Sequence, residues 1–98
     1  MDTKKYKELV LDFSACECIE EIHKIIKEEL ELPDFYGANA DALWDAIVGI
    51  MYVPVRITIV FKPKTSRAES LKESVEQIIS IFKEAEKEYG QICVSSEL

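Results

Sequence analysis

Glycine, proline and histidine are scarce in this chain, and its bases are outnumbered by its acids. Its three glycines stand singly, so there is no glycine-rich loop to cradle a phosphate. The one histidine, His23, falls among charged neighbours and is expected at the surface. With a single histidine, an HExxH zinc helix lacks its parts, and no Ser/His/acid set shows an obvious elbow. The three cysteines, Cys16, Cys18 and Cys93, are odd in number, and Cys16-x-Cys18 lacks a second ligand pair. Free thiols are therefore expected, and no metal site. No run of about 18 apolar residues occurs, which excludes a transmembrane helix, and no membrane role is expected. Met1 to Tyr6 carries lysines with no apolar core behind them, so no signal peptide is expected and the chain reads as cytoplasmic. Twelve bases face 19 acids, a net charge of −7. That balance disfavours direct nucleic-acid binding, because phosphate contacts need a basic surface. It suits a partner with a basic site, since opposite fields speed encounter.

What is present reads as one small α/β domain spanning residues 1–98. Ninety-eight residues that are 48% hydrophobic can bury a core without staples. Tyr6 to Phe13 is a strand candidate. Its nearly continuous Leu9, Val10 and Leu11 suggest cover on both faces. A helix from Ser14 or Cys16 to Leu30 follows, with Ile19, Ile22, Ile25, Ile26 and Leu30 as its apolar stripe. Ser14 is the expected N-cap, with Glu17 completing a capping box. Pro33 ends that helix. Val55 to Phe61 is the strongest strand, rich in β-branched residues. Lys62 to Arg67 reads as a loop. A single long helix from Arg67 to Glu88 then carries Leu71, Val75, Ile78, Phe82, Ala85 and Tyr89 at helical spacing, closed by Gly90. Gln91 to Ser95 is a last short strand and Ser96-Glu97-Leu98 a tail. Strands alternating with helices imply parallel pairing, with right-handed crossovers laying the helices on the sheet. The simplest arrangement is a three-stranded parallel sheet in the order 1-2-3.

The stretch from Leu32 to Gly49 is more pointed. Pro33 and Gly37 make a loop, with Gly37 supplying backbone freedom. Asn39 is a good N-cap, Asp41 sits in the first turn where the helix dipole favours negative charge, and Gly49 is a plausible stop. At roughly 100° per residue, Ala42, Leu43, Ala46, Ile47 and Ile50 gather on one side as a core stripe. Asp41, Trp44, Asp45 and Val48 gather on the other. An apolar-faced helix should be polar opposite that face. Here the opposite face carries an indole and a valine beside two carboxylates, the look of a protein-recognition surface. The plainer alternative is helix-start chemistry, a solvated Asp45 and a Trp44 tucked against a neighbouring loop.

Catalysis finds little support. Asp41 and Asp45, one turn apart, could form an acid/base pair, but an exposed helix face lacks the concave pocket catalysis needs. A cysteine with His23 could form a nucleophile–base pair, yet Cys93 falls in an expected buried strand where a thiol is inert. No enzyme activity and no cofactor are expected.

The residues Leu32-Pro33-Asp34-Phe35-Tyr36-Gly37-Ala38-Asn39-Ala40-Asp41-Ala42-Leu43-Trp44-Asp45 resemble the hallmark segment of the barstar family, intracellular inhibitors of secreted barnase-type bacterial ribonucleases. The element order and length fit that family over the whole chain, and Ile81-Phe82-Lys83-Glu84-Ala85 is similar to the corresponding family piece. The resemblance implies a barstar-like fold and an inhibitor whose carboxylates stand where RNA phosphate would sit. Asp45 would be the central anion and Asp41 would meet a second group of cations. Asn39 and Trp44 would pack around them, with Gly49 at the rim and Glu84 as a peripheral acid. Phe35 would keep the ring of a family tyrosine without its hydroxyl, and Val48 and Ile50 replace a threonine and a tryptophan. The implied partner is a barnase-like ribonuclease, and the free protein is expected to be monomeric. An acidic module of the same fold that binds a different basic protein remains the alternative.

Overall fold

The computed structural model describes residues 7–32, 37, 39–49, 54–89 and 92–98. The elements run β1 (Lys7–Asp12), α1 (Ile19–Glu29), α2 (Ala40–Gly49), β2 (Val55–Val60), α3 (Ser66–Glu69), α4 (Lys72–Tyr89) and β3 (Ile92–Glu97). The strands form one parallel sheet in the order β1-β2-β3, the arrangement expected. Leu9 stands opposite Ile57, and Ile57 opposite Val94.

Only one face of that sheet is deeply covered. Leu9, Leu11, Val55, Ile57, Ile59 and Ile92 are buried with Phe13, Ile22, Ile26, Leu43, Ile47, Val75, Ile78 and Phe82. The alternate residues face outward: Val10 is 56% exposed, and Glu8, Arg56 and Ser95 are exposed too. The expectation of a β1 covered on both faces is thus corrected. The continuous Leu9-Val10-Leu11 run hid an ordinary strand alternation, in which neighbouring side chains take opposite faces. Polar links hold the open face, with Arg56 3.8 Å from Glu8 and the Thr58 and Ser95 hydroxyls 3.4 Å apart. The same outward side leaves Cys93 half-buried rather than buried. β3 continues through Ser96 and Glu97, expected as a tail, because β2 offers partners as far as Val60 and the Phe61 N–H donates to the Glu97 carbonyl at 2.9 Å.

α1 begins later than expected. Ser14 is not its cap: the Ser14 hydroxyl accepts the Lys62 N–H at 2.8 Å, and the Ser14 N–H donates to Asp12 Oδ1 at 2.9 Å. Those bonds tie the chain leaving β1 to the chain leaving β2. They also hold the Asp12 carboxyl below its ordinary value, through the Ser14 hydrogen bonds first and then Lys62 and Lys64. The N-cap is Cys18, which makes no side-chain bond. Instead Glu21, in the first turn, reaches back to the Glu17 N–H at 2.7 Å. At the other end Glu31 takes φ 54°, the left-handed region that favours glycine. The Leu32 N–H donates to Lys27 O at 2.9 Å and the Glu31 N–H to Glu28 O at 3.3 Å, the paired bonds of a Schellman turn. This turn, completed before Pro33, stops α1 and sends the chain toward α2.

The single long helix expected from Arg67 is two. Thr65 caps α3 by accepting the Ala68 N–H at 3.0 Å. The Ser70 hydroxyl then donates to Arg67 O at 2.6 Å, and Leu71, buried, restarts the helix by accepting the Val75 N–H at 2.9 Å. A serine that bonds nearby backbone competes with the helical ladder, which is why the periodicity continues across a break. Gly90, expected to close α4, lies outside the described residues.

His23, expected at the surface, is 7% exposed. It lines a cavity of about 50 Å³ with Ile19 of α1, Leu43 of α2, and Ser74, Gln77, Ile78 and Ile81 of α4. The charged residues beside it in sequence lie on α1's outer side while the ring turns inward. Burial lowers its pKa from the ordinary 6.5. Below 6.5 the unfolded chain binds a proton that the folded chain resists. Urea denaturation should therefore show stability full above pH 6.5 and falling as pH drops through the lowered value, with His23→Gln flattening that slope. An unchanged slope in His23→Gln would contradict the assignment. The Asp12 contribution is separate, being lost only as pH falls below 3.8.

Candidate functional site

α2 is held from beneath. Leu43 and Ile47 are fully buried and Ala42 and Ala46 half-buried, as the helical spacing predicts. Each buried Leu or Ile side chain contributes about 1.5–3 kcal/mol. The helix packs on α4. Its start is fixed by Asn39, whose Oδ1 accepts the Ala42 N–H at 2.8 Å while its carbonyl accepts the Leu43 N–H at 2.8 Å. Asn39 Nδ2 also donates to Gly37 O at 3.2 Å, so one side chain ties loop to helix. Gly37 matters for closeness rather than for the backbone freedom expected of it. Its φ lies outside the left-handed region, and a Cβ there would sit 3.1 Å from the Ala42 Cβ.

Opposite the buried stripe, Asp41 and Asp45 are exposed, Val48 is 39% exposed and Trp44 is half-buried. The indole packs against the edge of the core and meets Tyr89 of α4, with ring centroids 6.3 Å apart and planes at 42°. Among the described residues neither aspartate has an ion-pair or hydrogen-bond partner. α2 has no base in its last turn to offset them. Ion pairs that do form lie elsewhere, such as Lys7–Glu31 at 3.8 Å and Lys62–Glu97 at 3.7 Å. Glu84 is exposed on α4, one turn on from Ile81, which lines the cavity beneath Leu43. Gly49 is exposed, and a Cβ there would meet no atom within 4 Å. Glycine in a helix costs about 0.5–1 kcal/mol relative to alanine, and nothing inside the fold requires it here. Phe35 and Ile50 lie outside the described residues.

The arrangement can offer fixed negative charge around an aromatic edge to a cationic surface. The cysteines are free thiols. Burial first, then Glu21, Cys18 and Asp12, pushes the Cys16 thiol up to about 11, so it stays protonated at neutral pH. No group of three or more metal-ligating side chains occurs among the described residues, and none of their helices is long and apolar enough to cross a membrane.

The family model described as "Barstar (barnase inhibitor)" matches residues 6–96. The chain belongs to the barstar family. It is also similar to a Bacillus subtilis (strain 168) protein whose name reads "Putative ribonuclease inhibitor YrdF", 32% identical over 82 residues that cover 84% of this chain and 88% of that protein. In this barstar-family chain the expected residues Asn39, Asp41, Trp44, Asp45, Val48 and Gly49 share one short helix and its cap, and Glu84 stands on the helix packed against it. Sequence reasoning missed Tyr89. Its place at the end of an apolar stripe read as core, whereas it is 41% exposed beside Trp44.

Removing the cap should loosen this element without touching the core. Asn39→Ala is expected to cost about 1 kcal/mol in urea denaturation, and Asn39→Ser to recover most of it. Equal stability of all three proteins would show that the bond seen to Ala42 carries no weight.

Proposed function

We propose that this chain inhibits a bacterial ribonuclease of the barnase type by seating the outer face of α2 in the enzyme's basic active site. Asp45 takes the place of an RNA phosphate and Asp41 meets neighbouring cations. Trp44 and Val48 fill the space between them, Gly49 permits close approach at the rim, and Glu84 adds charge at the periphery. Asn39, at the start of α2, completes the surface, and Phe35 is assigned to it from the family resemblance alone. No bond is made or broken, because the enzyme is blocked by occupancy. The proposal places the protein in the bacterial cytoplasm, where such an inhibitor protects the cell before the enzyme is secreted.

The observation that carries this reading is the absence, among the described residues, of any partner for two exposed carboxylates on a helix anchored by fully buried Leu43 and Ile47. An anion on an anchored helix, with no ion-pair or hydrogen-bond partner among the described residues, is left available to another molecule. Family membership and the inhibitor name carried by the Bacillus subtilis relative point the same way. The net charge of −7 favours fast encounter with a basic protein.

A charge that leaves water on binding must be met by opposite charge, and removing one partner of such a pair costs about 2–5 kcal/mol of affinity. Titration of a purified barnase-type ribonuclease should show full inhibition by the unsubstituted chain and an affinity loss of that size in Asp45→Ala. Glu20→Ala, on the exposed side of α1, should leave inhibition unchanged. Undiminished inhibition by a folded Asp45→Ala protein would remove Asp45 from the site. Failure of the unsubstituted chain to inhibit would favour an acidic module for a different basic protein.

A further inference from the structure

Large apolar side chains left in water cost stabilisation that burial would have provided. Among the described residues Tyr89 is 41% and Val48 39% exposed, after Leu98 and Val10; Tyr89 meets Trp44, and Val48 is spaced one helical turn from it. Val48 lies one turn along α2 from Trp44. Tyr89, the last residue of α4, touches the indole from the neighbouring helix at 6.3 Å between ring centroids. The three side chains therefore make a continuous apolar ridge across two helices. Acids border it on both sides, Asp41 and Asp45 on α2 and Glu84 and Glu88 on α4, all exposed and without ion-pair partners among the described residues. An aromatic centre with a charged rim is the anatomy of a protein interface, in which Trp and Tyr supply disproportionate affinity.

We infer that Tyr89 is a contact and specificity residue of the docking surface, pairing with Trp44 to seat an arginine side chain of the ribonuclease. The inference rests on the inhibitor reading above and extends its surface from α2 to the end of α4. Charge sets the occupant. On these parts of α2 and α4 the exposed Asp41, Asp45, Glu84 and Glu88 outnumber the exposed Lys83 and Lys87, so the surroundings of the ridge are net negative and disfavour an acidic side chain. Of the two common cations, the guanidinium is planar, stacks on aromatic faces and pairs edge-on with carboxylates, whereas the lysine ammonium is a compact and strongly hydrated point charge. A tilted indole–phenol pair beside Asp45 and Glu88 offers both the faces and the acids. The seat also separates partners: a basic enzyme lacking arginine at this place would gain the charge term and lose the stacking term.

Rates of association and dissociation with a barnase-type ribonuclease, measured by surface plasmon resonance, test the inference. Tyr89→Phe keeps the ring and should stay within about twofold of the unsubstituted chain. Tyr89→Ala should speed dissociation about tenfold, the effect of losing an interface anchor, with circular dichroism unchanged. Tyr89→Leu still covers Trp44 and should behave like Tyr89→Ala. Full rescue by leucine would reduce Tyr89 to a cover for the indole and overturn the inference. Combining Tyr89→Ala with alanine substitutions of the enzyme's surface arginines should reveal one arginine whose effect is not additive with it; additivity at every arginine would overturn the proposed seat. Asp45→Ala, run alongside, separates the two levels. If it weakens binding while Tyr89→Ala does not, the seat is wrong and the inhibitor reading stands. If Asp45→Ala is also silent, the inhibitor reading itself fails.

Discussion

The structure depends on two opposed demands placed on one short helix. α2 is ten residues long, too short to be stable alone in water. Its anchorage comes from Leu43 and Ile47, both fully buried in the core cluster, with the helix packed on α4. That anchorage allows the opposite side to carry two carboxylates with no ion-pair partner among the described residues. Repulsion between like charges one turn apart costs only a few tenths of a kilocalorie on a helix surface. Burial of the apolar stripe outweighs it severalfold. The Asn39 cap and the close Gly37–Ala42 approach fix where the helix starts, and so fix the height of Asp41 and Asp45 above the core.

Elements set by strong periodicity were legible in the chain. The parallel sheet, its order, β2 and the inner stripe of α2 follow from β-branched runs and from apolar residues three and four apart. The outer face of α2 was legible for the complementary reason: Trp44 and Val48 stand where a solvated helix has no use for them. What escaped reading depends on tertiary context. His23 has charged neighbours in sequence yet turns inward because the α1–α2–α4 junction leaves room for its ring. Ser14 looks like a helix cap and instead binds across to Lys62, 48 residues on. The break between α3 and α4 is invisible to periodicity, because Leu71 and Val75 keep helical spacing on either side of the Ser70 turn. Tyr89 carries no local mark distinguishing the last core residue of a stripe from the first surface one.

The sheet makes a useful contrast with the helix. On its outward face Glu8 pairs with Arg56 at 3.8 Å, and the neutral Thr58 and Ser95 hydroxyls meet at 3.4 Å. Lys62 and Glu97 pair at the strand ends. The ion pairs seen among the described residues, Lys7–Glu31, Arg56–Glu8 and Lys62–Glu97, all lie away from the outer face of α2. The 19 acids against 12 bases give the chain its net negative field.

A net negative field acts on the approach of a basic partner more than on its departure, since short contacts hold the complex once formed. Stopped-flow kinetics with a barnase-type ribonuclease across a salt series addresses this directly. The account predicts association that slows steeply, by about tenfold or more between low and half-molar salt, with dissociation nearly constant. Association indifferent to salt, or association and dissociation changing in equal measure, would contradict it.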